Sequence, residues 1–262
     1  MDNQSTVGTL QKMKFSAMAT ELEMQLKDSE KYKKYGFEER IGMLVDAEWS
    51  RRQSNKLERH IKNVRFAIPS AHMEGIEYHE DRRLDKGQLD RFAGGDYIEK
   101  GHHIILKGAS GNGKTYICNA LGNAACRAFK TVRYIRMPEL LDDLSVAKGC
   151  GNLKKVIKAY RKVDLLIIDE WLIRTLDLHE AYDLLEIIES RCDNGSIIFC
   201  TQYEPQGWYE RINPDVNSDS PISDAIMDRV IHNSYEVLID GTTSMRERKG
   251  LNSQDKDGEN ND

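Results

Sequence analysis

One run of eight residues constrains this chain more than any other. Gly108-Ala109-Ser110-Gly111-Asn112-Gly113-Lys114-Thr115 fits the pattern G-x-x-x-x-G-K-[ST] without a mismatch. Glycines at these places let the backbone bend so that successive N–H groups converge on one anion. Such a loop needs a strand before it and a helix behind it, whose positive dipole end also favours a phosphate. The sequence supplies both, with an apolar strand pattern over 103–107 and an amphipathic helical pattern over 114–129. Glycine-rich turns with a lysine also arise by chance; the strand–loop–helix setting favours the functional reading. Lys114 is then expected to reach the β- and γ-phosphates and Thr115 to ligate Mg²⁺. Tyr116, in the first helical turn, is counted with the nucleotide-binding residues.

A second acidic motif follows. Leu165-Leu-Ile-Ile-Asp169-Glu170 reads as a buried strand ending in two carboxylates. The C-terminal ends of strands are where open α/β sheets bind ligands. Asp169 is expected to hold Mg²⁺ through its water shell, and Glu170 to orient and polarise the attacking water. Alone, two strand-end acids are as readily a solvated pair. Behind a complete phosphate loop they read as the second half of a nucleotide-hydrolysing site, with ATP and Mg²⁺ as its cofactors.

From His103 onward strands and helices alternate. Strands are expected at 103–107, 132–135, 164–168, 196–200 and 235–239, and helices at 114–129, 138–148, 152–162, 179–192 and 223–232. Pro138 suits a first helical turn, where its missing N–H goes unmissed. Short all-apolar strands imply a parallel sheet covered on both faces, an α/β domain. The first hundred residues read as helical. Phe15, Met18, Ala19, Leu22 and Leu26 form one apolar stripe, and a second helix from Phe37 is expected to turn Ile41, Leu44, Val45 and Trp49 inward. The junction between the two parts is expected between 68 and 88.

Charge is unevenly spread. Between Lys31 and Phe66 ten basic side chains oppose five acidic ones, a local +5 within a chain of net −5. Arg52, Lys56 and Arg59 share a helix face, with Arg51 beside them and Lys62 near the edge, and such a face can engage phosphates without reading sequence. Charge runs are more often solvated surface. The tail from 252 has four acids, one lysine and no large apolar residue, a composition expected to stay disordered. Five scattered cysteines without CxxC spacing argue against a disulfide framework or zinc site and for a reducing cytoplasm. Neither a membrane span nor a secretory leader is apparent.

Several motifs together resemble the IstB family, helper ATPases of insertion-sequence transposition related to the DnaC helicase loaders within the AAA+ class. They are Leu84–Leu89, the phosphate loop, Val163–Trp171, Asp224–Val230 with His232-Asn233, and Gly241-x-x-Ser-Met-Arg246, in that order. The resemblance runs from about 13 to 248. It implies a three-layer AAA+ core with a parallel sheet (76–250), a small helical N-terminal DNA-binding domain (1–75) and an acidic tail (251–262). It further implies a homo-oligomer on duplex DNA with ATP sites at subunit interfaces, and a partner transposase. By the same resemblance Gln202 is the sensor amide, Arg229 an arginine finger supplied to a neighbouring subunit, and Arg246 a nucleotide sensor. After Arg246 the helical lid that carries such an arginine in larger AAA+ proteins is not expected. The stretch 206–221 is longer than the family pattern. Two other readings stand beside the transposition helper: a DnaC-like loader acting on a replicative helicase, and a small-molecule kinase. Glu170 beside Asp169 and the Arg229 motif argue against the kinase.

Overall fold

The computed structural model describes residues 3–192, 195–213 and 220–248. The acidic tail and residues 214–219 of the 206–221 stretch lie outside the described residues. The chain divides into two compact units, Met1–His60 and Ile61–Asp262.

The first unit is helical: α1 (Asn3–Lys12), α2 (Ser16–Lys27), α3 (Ser29–Tyr32) and most of α4 (Phe37–Val64). The division falls within the continuous helix α4, earlier than the junction expected from sequence. Two buried polar side chains join α2 to α4. The Glu48 carboxylate accepts the Ala17 and Met18 N–H groups at 3.0 and 3.3 Å, satisfying orphan donors at the start of α2. Arg52 completes the site at 2.8 Å. Its hydrogen bond, with those amides, holds Glu48 below the usual carboxylate pKa against the opposing effect of burial. Gln25 accepts from Arg40 Nε at 3.1 Å and donates to the Arg40 carbonyl at 3.2 Å.

The apolar reading of this unit needs correction. Of the first stripe only Ala19 is buried, Leu26 is exposed, and Phe15 precedes α2 as its N-cap residue. On α4, Leu44 is buried, but Phe37, Ile41, Val45 and Trp49 are exposed. The buried side of α4 runs through Leu44 and Glu48, so a carboxylate occupies a place that hydrophobic periodicity reserves for an apolar group.

The second unit begins with the end of α4, two short 3₁₀ turns, α5 (Lys86–Ala93) and α6 (Asp96–Glu99). Its remainder alternates strands with helices, two of them between β2 and β3: β1 (His103–Lys107), α7 (Lys114–Arg127), β2 (Val132–Arg136), α8 (Met137–Gly149), α9 (Leu153–Arg161), β3 (Leu165–Asp169), α10 (Leu178–Arg191) and β4 (Ser196–Thr201). Then come α11 (Trp208–Ile212), α12 (Pro221–Ile231), β5 (Ser234–Leu238) and α13 (Met245–Arg248). All five strands are parallel, in the order β2-β3-β4-β1-β5. Each expected strand and helix of this part forms within a residue or two of its sequence reading; α11 and α13 had no expectation.

Every residue of β3 is buried, and its four aliphatic side chains each contribute roughly 1.5–3 kcal/mol of transfer free energy. On one sheet face Trp171, Phe199 and Trp208 pack edge to face beneath α8, α10 and α12. On the other, α7 lies close to β3, and a Cβ on Gly122 would fall 2.7 Å from Ile167. This layering puts the C-terminal ends of β1 and β3, with β4 between them, on the same edge of the sheet as the start of α7.

Candidate nucleotide site

The loop between β1 and α7 takes the bend its glycines allow. Gly108 and Gly113 have φ of 155° and 89°, and a side chain at Gly108 would also collide with the Ile239 carbonyl. Gly113 forms the N-cap of α7, leaving the first N–H groups of that helix facing the loop. Lys114 Nζ donates to the Gly108 and Ala109 carbonyls, both at 2.8 Å, and so lies folded over the loop. Burial lowers its pKa.

At the end of β3 the Asp169 carboxylate collects three donors. Thr115 Oγ1 is 2.7 Å away, the Tyr134 hydroxyl 2.9 Å, and the Glu170 N–H 2.9 Å. Burial first, and the Asp169 charge second, raise the Tyr134 pKa, so this phenol stays a donor. Glu170 adopts left-handed backbone, φ 58°, a conformation that costs a non-glycine residue on the order of 1 kcal/mol. The Trp171 N–H fixes that turn to β4 through the Cys200 carbonyl at 2.8 Å. The Glu170 carboxylate is held by Arg136 Nη2 at 2.8 and 2.7 Å.

The loop and the two acids border one cavity of about 430 Å³. Ser110, Gly111, Gly113, Lys114, Thr115 and Tyr116 contribute to it, as do Asp169, Glu170, Gln202 and Arg246; apolar cover comes from Ile68, Ile76 and Ile173. Arg246 arrives on α13, and the N–H of its neighbour Met245 bonds the Gly111 carbonyl at 3.0 Å. Arg229 is not part of the cavity; it lies on α12, paired with Glu189 of α10 at 2.7 Å.

A hydroxyl and a carboxylate 2.7 Å apart at the mouth of a phosphate loop are hard oxygen donors of the kind Mg²⁺ prefers. Among the described residues no group of three or more His, Cys, Asp or Glu side chains could hold a metal unaided. A cation here would take its remaining ligands from phosphate and water, the usual Mg²⁺ arrangement.

Residues beyond the motifs complete the site. Tyr134 and Arg136 alternate along β2, which pairs with β3 so that Arg136 stands opposite Asp169. Two polar residues spaced by two on a strand beside the acidic one were the available signal. Arg82 is buried and donates to the Asn112 carbonyl at 2.7 Å and to the Glu77 carbonyl. Asn112 in turn donates to the Ile239 carbonyl at 3.1 Å. Nothing in the sequence around Arg82 marks it, since its partners are backbone carbonyls, which any residue carries.

Arg51, Arg52, Lys56, Arg59 and Lys62 of α4 are all exposed. Arg51 lies 3.9 Å from Glu48 and Arg52 is bound to it, whereas Arg59 donates to the Asn55 carbonyl of its own helix at 3.2 Å. Arg52 also stacks over Phe15, 4.8 Å from the ring centre. It therefore serves the packing of its unit as well as the charged face.

A parallel five-stranded sheet with a phosphate loop after β1 and paired acids after β3 defines an ATPase of the AAA+ class. The likeness to the crystal structure of the DnaC helicase loader agrees, with a TM-score of 0.54 at 19% identity over 64% of this chain and 96% of that one. The chain belongs to the IstB-like ATP binding protein family, whose model matches residues 8–253. The ATP-binding protein of insertion sequence IS1162 from Pseudomonas fluorescens is 35% identical over 77% of this chain and 87% of its own length. An insertion-sequence ATP-binding protein of Sinorhizobium fredii is 33% identical over 80% of this chain and 83% of its own. Among the described residues no helix is long and apolar enough to cross a membrane.

Proposed function

We propose that this chain is the helper ATPase of an insertion sequence, a cytoplasmic protein that assembles with copies of itself on duplex DNA and recruits or stimulates a partner transposase. The observation carrying the chemistry is the 2.7 Å contact between Thr115 of the phosphate loop and Asp169, with Glu170 next in the chain. Thr115 and Asp169 would hold Mg²⁺, which neutralises phosphate charge when bound. Lys114 exchanges its two loop carbonyls for phosphate oxygens. Glu170, once free of Arg136, orients a water and accepts its proton, and Gln202 and Arg246 contact the nucleotide from the remaining wall.

Arg229 lies outside its own cavity, an arrangement that suits supply to the site of a neighbouring copy and so couples hydrolysis to assembly. The exposed basic face of α4, Arg51, Arg52, Lys56, Arg59 and Lys62, is the DNA contact in this reading. Insertion-sequence proteins match along most of their length at 33–35% identity, whereas the likeness to DnaC is one of fold; this favours a transposition helper over a helicase loader.

The test is sedimentation of the full chain with a non-hydrolysable ATP analogue, with and without duplex DNA. Higher assemblies should require nucleotide and be stabilised by duplex. A species whose size is indifferent to both would overturn the proposal.

A further inference from the structure

Tyr134 touches Asp169 from a neighbouring strand and belongs to none of the nucleotide motifs. β2 pairs with β3 so that Tyr134 stands opposite Ile167 and Arg136 opposite Asp169. Residues two apart on a strand share a face, so the phenol lies on the diagonal to Asp169, a separation that an aromatic side chain spans. Its ring is half-buried and packs against Phe66, the centroids 6.3 Å apart. The hydroxyl at its far end donates to Asp169 Oδ2 at 2.9 Å.

Asp169 is only 5% exposed, so its acceptor sites must be filled by protein or by whatever binds beside it. A carboxylate has about four such sites, two on each oxygen. Thr115 Oγ1 and the Tyr134 hydroxyl both donate to Oδ2, at 2.7 and 2.9 Å, and the Glu170 N–H donates to Oδ1 at 2.9 Å. Oδ2, the oxygen that meets the phosphate loop, is therefore full. One site remains, on Oδ1.

We infer that Tyr134 is a positioning residue that sets which divalent cation the site accepts, favouring Mg²⁺ over Ca²⁺. The inference rests on the reading of Thr115 and Asp169 as the cation seat. With Oδ2 filled by two donors, the oxygen beside Thr115 is closed to direct coordination. Oδ1, which already holds the Glu170 N–H, is left to accept from a water of the cation's shell. Mg²⁺ dehydrates reluctantly and keeps several waters, so a carboxylate that acts through water suits it. Ca²⁺ takes six to eight oxygens, carboxylates among them as direct ligands, and gains less from one that is closed. A phenol fits this task because its rigid ring has few torsions to immobilise. Without its hydroxyl, Oδ2 keeps the single donor Thr115 and has one site open to a cation.

The experiment is binding of a fluorescent, non-hydrolysable ATP analogue to the full chain and to Tyr134→Phe, titrated with Mg²⁺ and separately with Ca²⁺. Turnover does not enter the readout. Tyr134→Phe keeps the ring that packs on Phe66, and circular dichroism with a thermal melt checks the fold. Affinity without metal should be unchanged. The Mg²⁺ concentration giving half of the metal-dependent gain should rise about 10-fold or more, the usual effect of removing a partner of a metal-site side chain. The corresponding Ca²⁺ concentration should change less or fall, so the preference for Mg²⁺ narrows. Equal losses for the two cations, an unchanged Mg²⁺ requirement, or a loss of metal-free affinity would each overturn the inference, the last by showing that Tyr134 only supports the loop. Asp169→Asn separates this from the reading beneath it. If that variant keeps the Mg²⁺ dependence of the unaltered chain, Asp169 is no part of the cation seat and both fall. If it loses the dependence while Tyr134→Phe retains it, only the role of Tyr134 falls.

Discussion

One nitrogen of Arg136, at the end of β2, holds both carboxylate oxygens of Glu170, at the end of β3, at 2.8 and 2.7 Å. So engaged, each Glu170 oxygen commits a lone pair to the guanidinium and is less free to turn toward a water. The Glu170 hydrogen bond and charge raise the Arg136 pKa, so the guanidinium stays charged at any working pH. The pair is partly exposed and therefore weak, worth about 0.2–1 kcal/mol. Arg136→Ala should raise DNA-free ATP turnover by up to about 5-fold, the factor that ~1 kcal/mol represents. Steady-state hydrolysis checks this; a fall in rate would mean that Arg136 orients Glu170 for catalysis.

The two halves of the nucleotide site should separate in mutants. Lys114→Ala should abolish nucleotide binding in a fluorescent-analogue titration, because the loop amides alone are left to face the phosphate charge. Glu170→Gln should bind ATP normally yet lose about 10²–10⁴-fold in turnover, the usual contribution of a general base. Undiminished hydrolysis by Glu170→Gln would remove that residue from its proposed role.

Arg229→Ala protein titrated into the native chain should alter hydrolysis non-additively, since each copy would both receive and supply a guanidinium. A straight line of activity against composition, as simple dilution gives, would leave Arg229 as the partner of Glu189 and nothing more.

For the DNA face, Lys56, Arg59 and Lys62 are the informative set, because replacing Arg52 would also disturb Glu48. Neutralising three phosphate contacts should flatten the dependence of log K on log salt by about 2.7. An unchanged slope from binding at several salt concentrations would exclude this face.

Glu48 gives the first unit a pH dependence. Its pKa is lowered in the fold, chiefly by the Arg52 hydrogen bond, so its stabilising effect is present above the ordinary carboxylate value and is lost as pH falls through the lowered one. Thermal melts should show the helical unit weakening below about pH 4. Glu48→Gln should be less stable at neutral pH and show less of that acid dependence.

The nucleotide unit was largely legible because its rules are local. A strand of four aliphatics ending in two acids, and a glycine-rich turn ahead of an amphipathic helix, each specify their own geometry within a dozen residues. Register then supplied what local pattern could not: Tyr134 and Arg136 reach the acids only because β2 pairs with β3. Arg82 was illegible for a related reason, its partners being carbonyls that any residue carries. The helical unit was misread on α4, where apolar periodicity marked Ile41, Val45 and Trp49 for the interior. The buried side instead runs through Leu44 and Glu48, and a carboxylate that caps another helix leaves no trace in hydropathy.

Two distant stretches converge behind the glycine-rich turn. Arg82 grips it through Asn112, Met245 through Gly111, and Arg248 is bound to Asp81 at 2.6 Å. The grip on ATP is thus distributed along the chain. In a random mutagenesis screen for loss of nucleotide affinity, hits should cluster near positions 82 and 245 as well as at 108–115, and the outlying ones would look like long-range effects while acting directly on the loop's backbone.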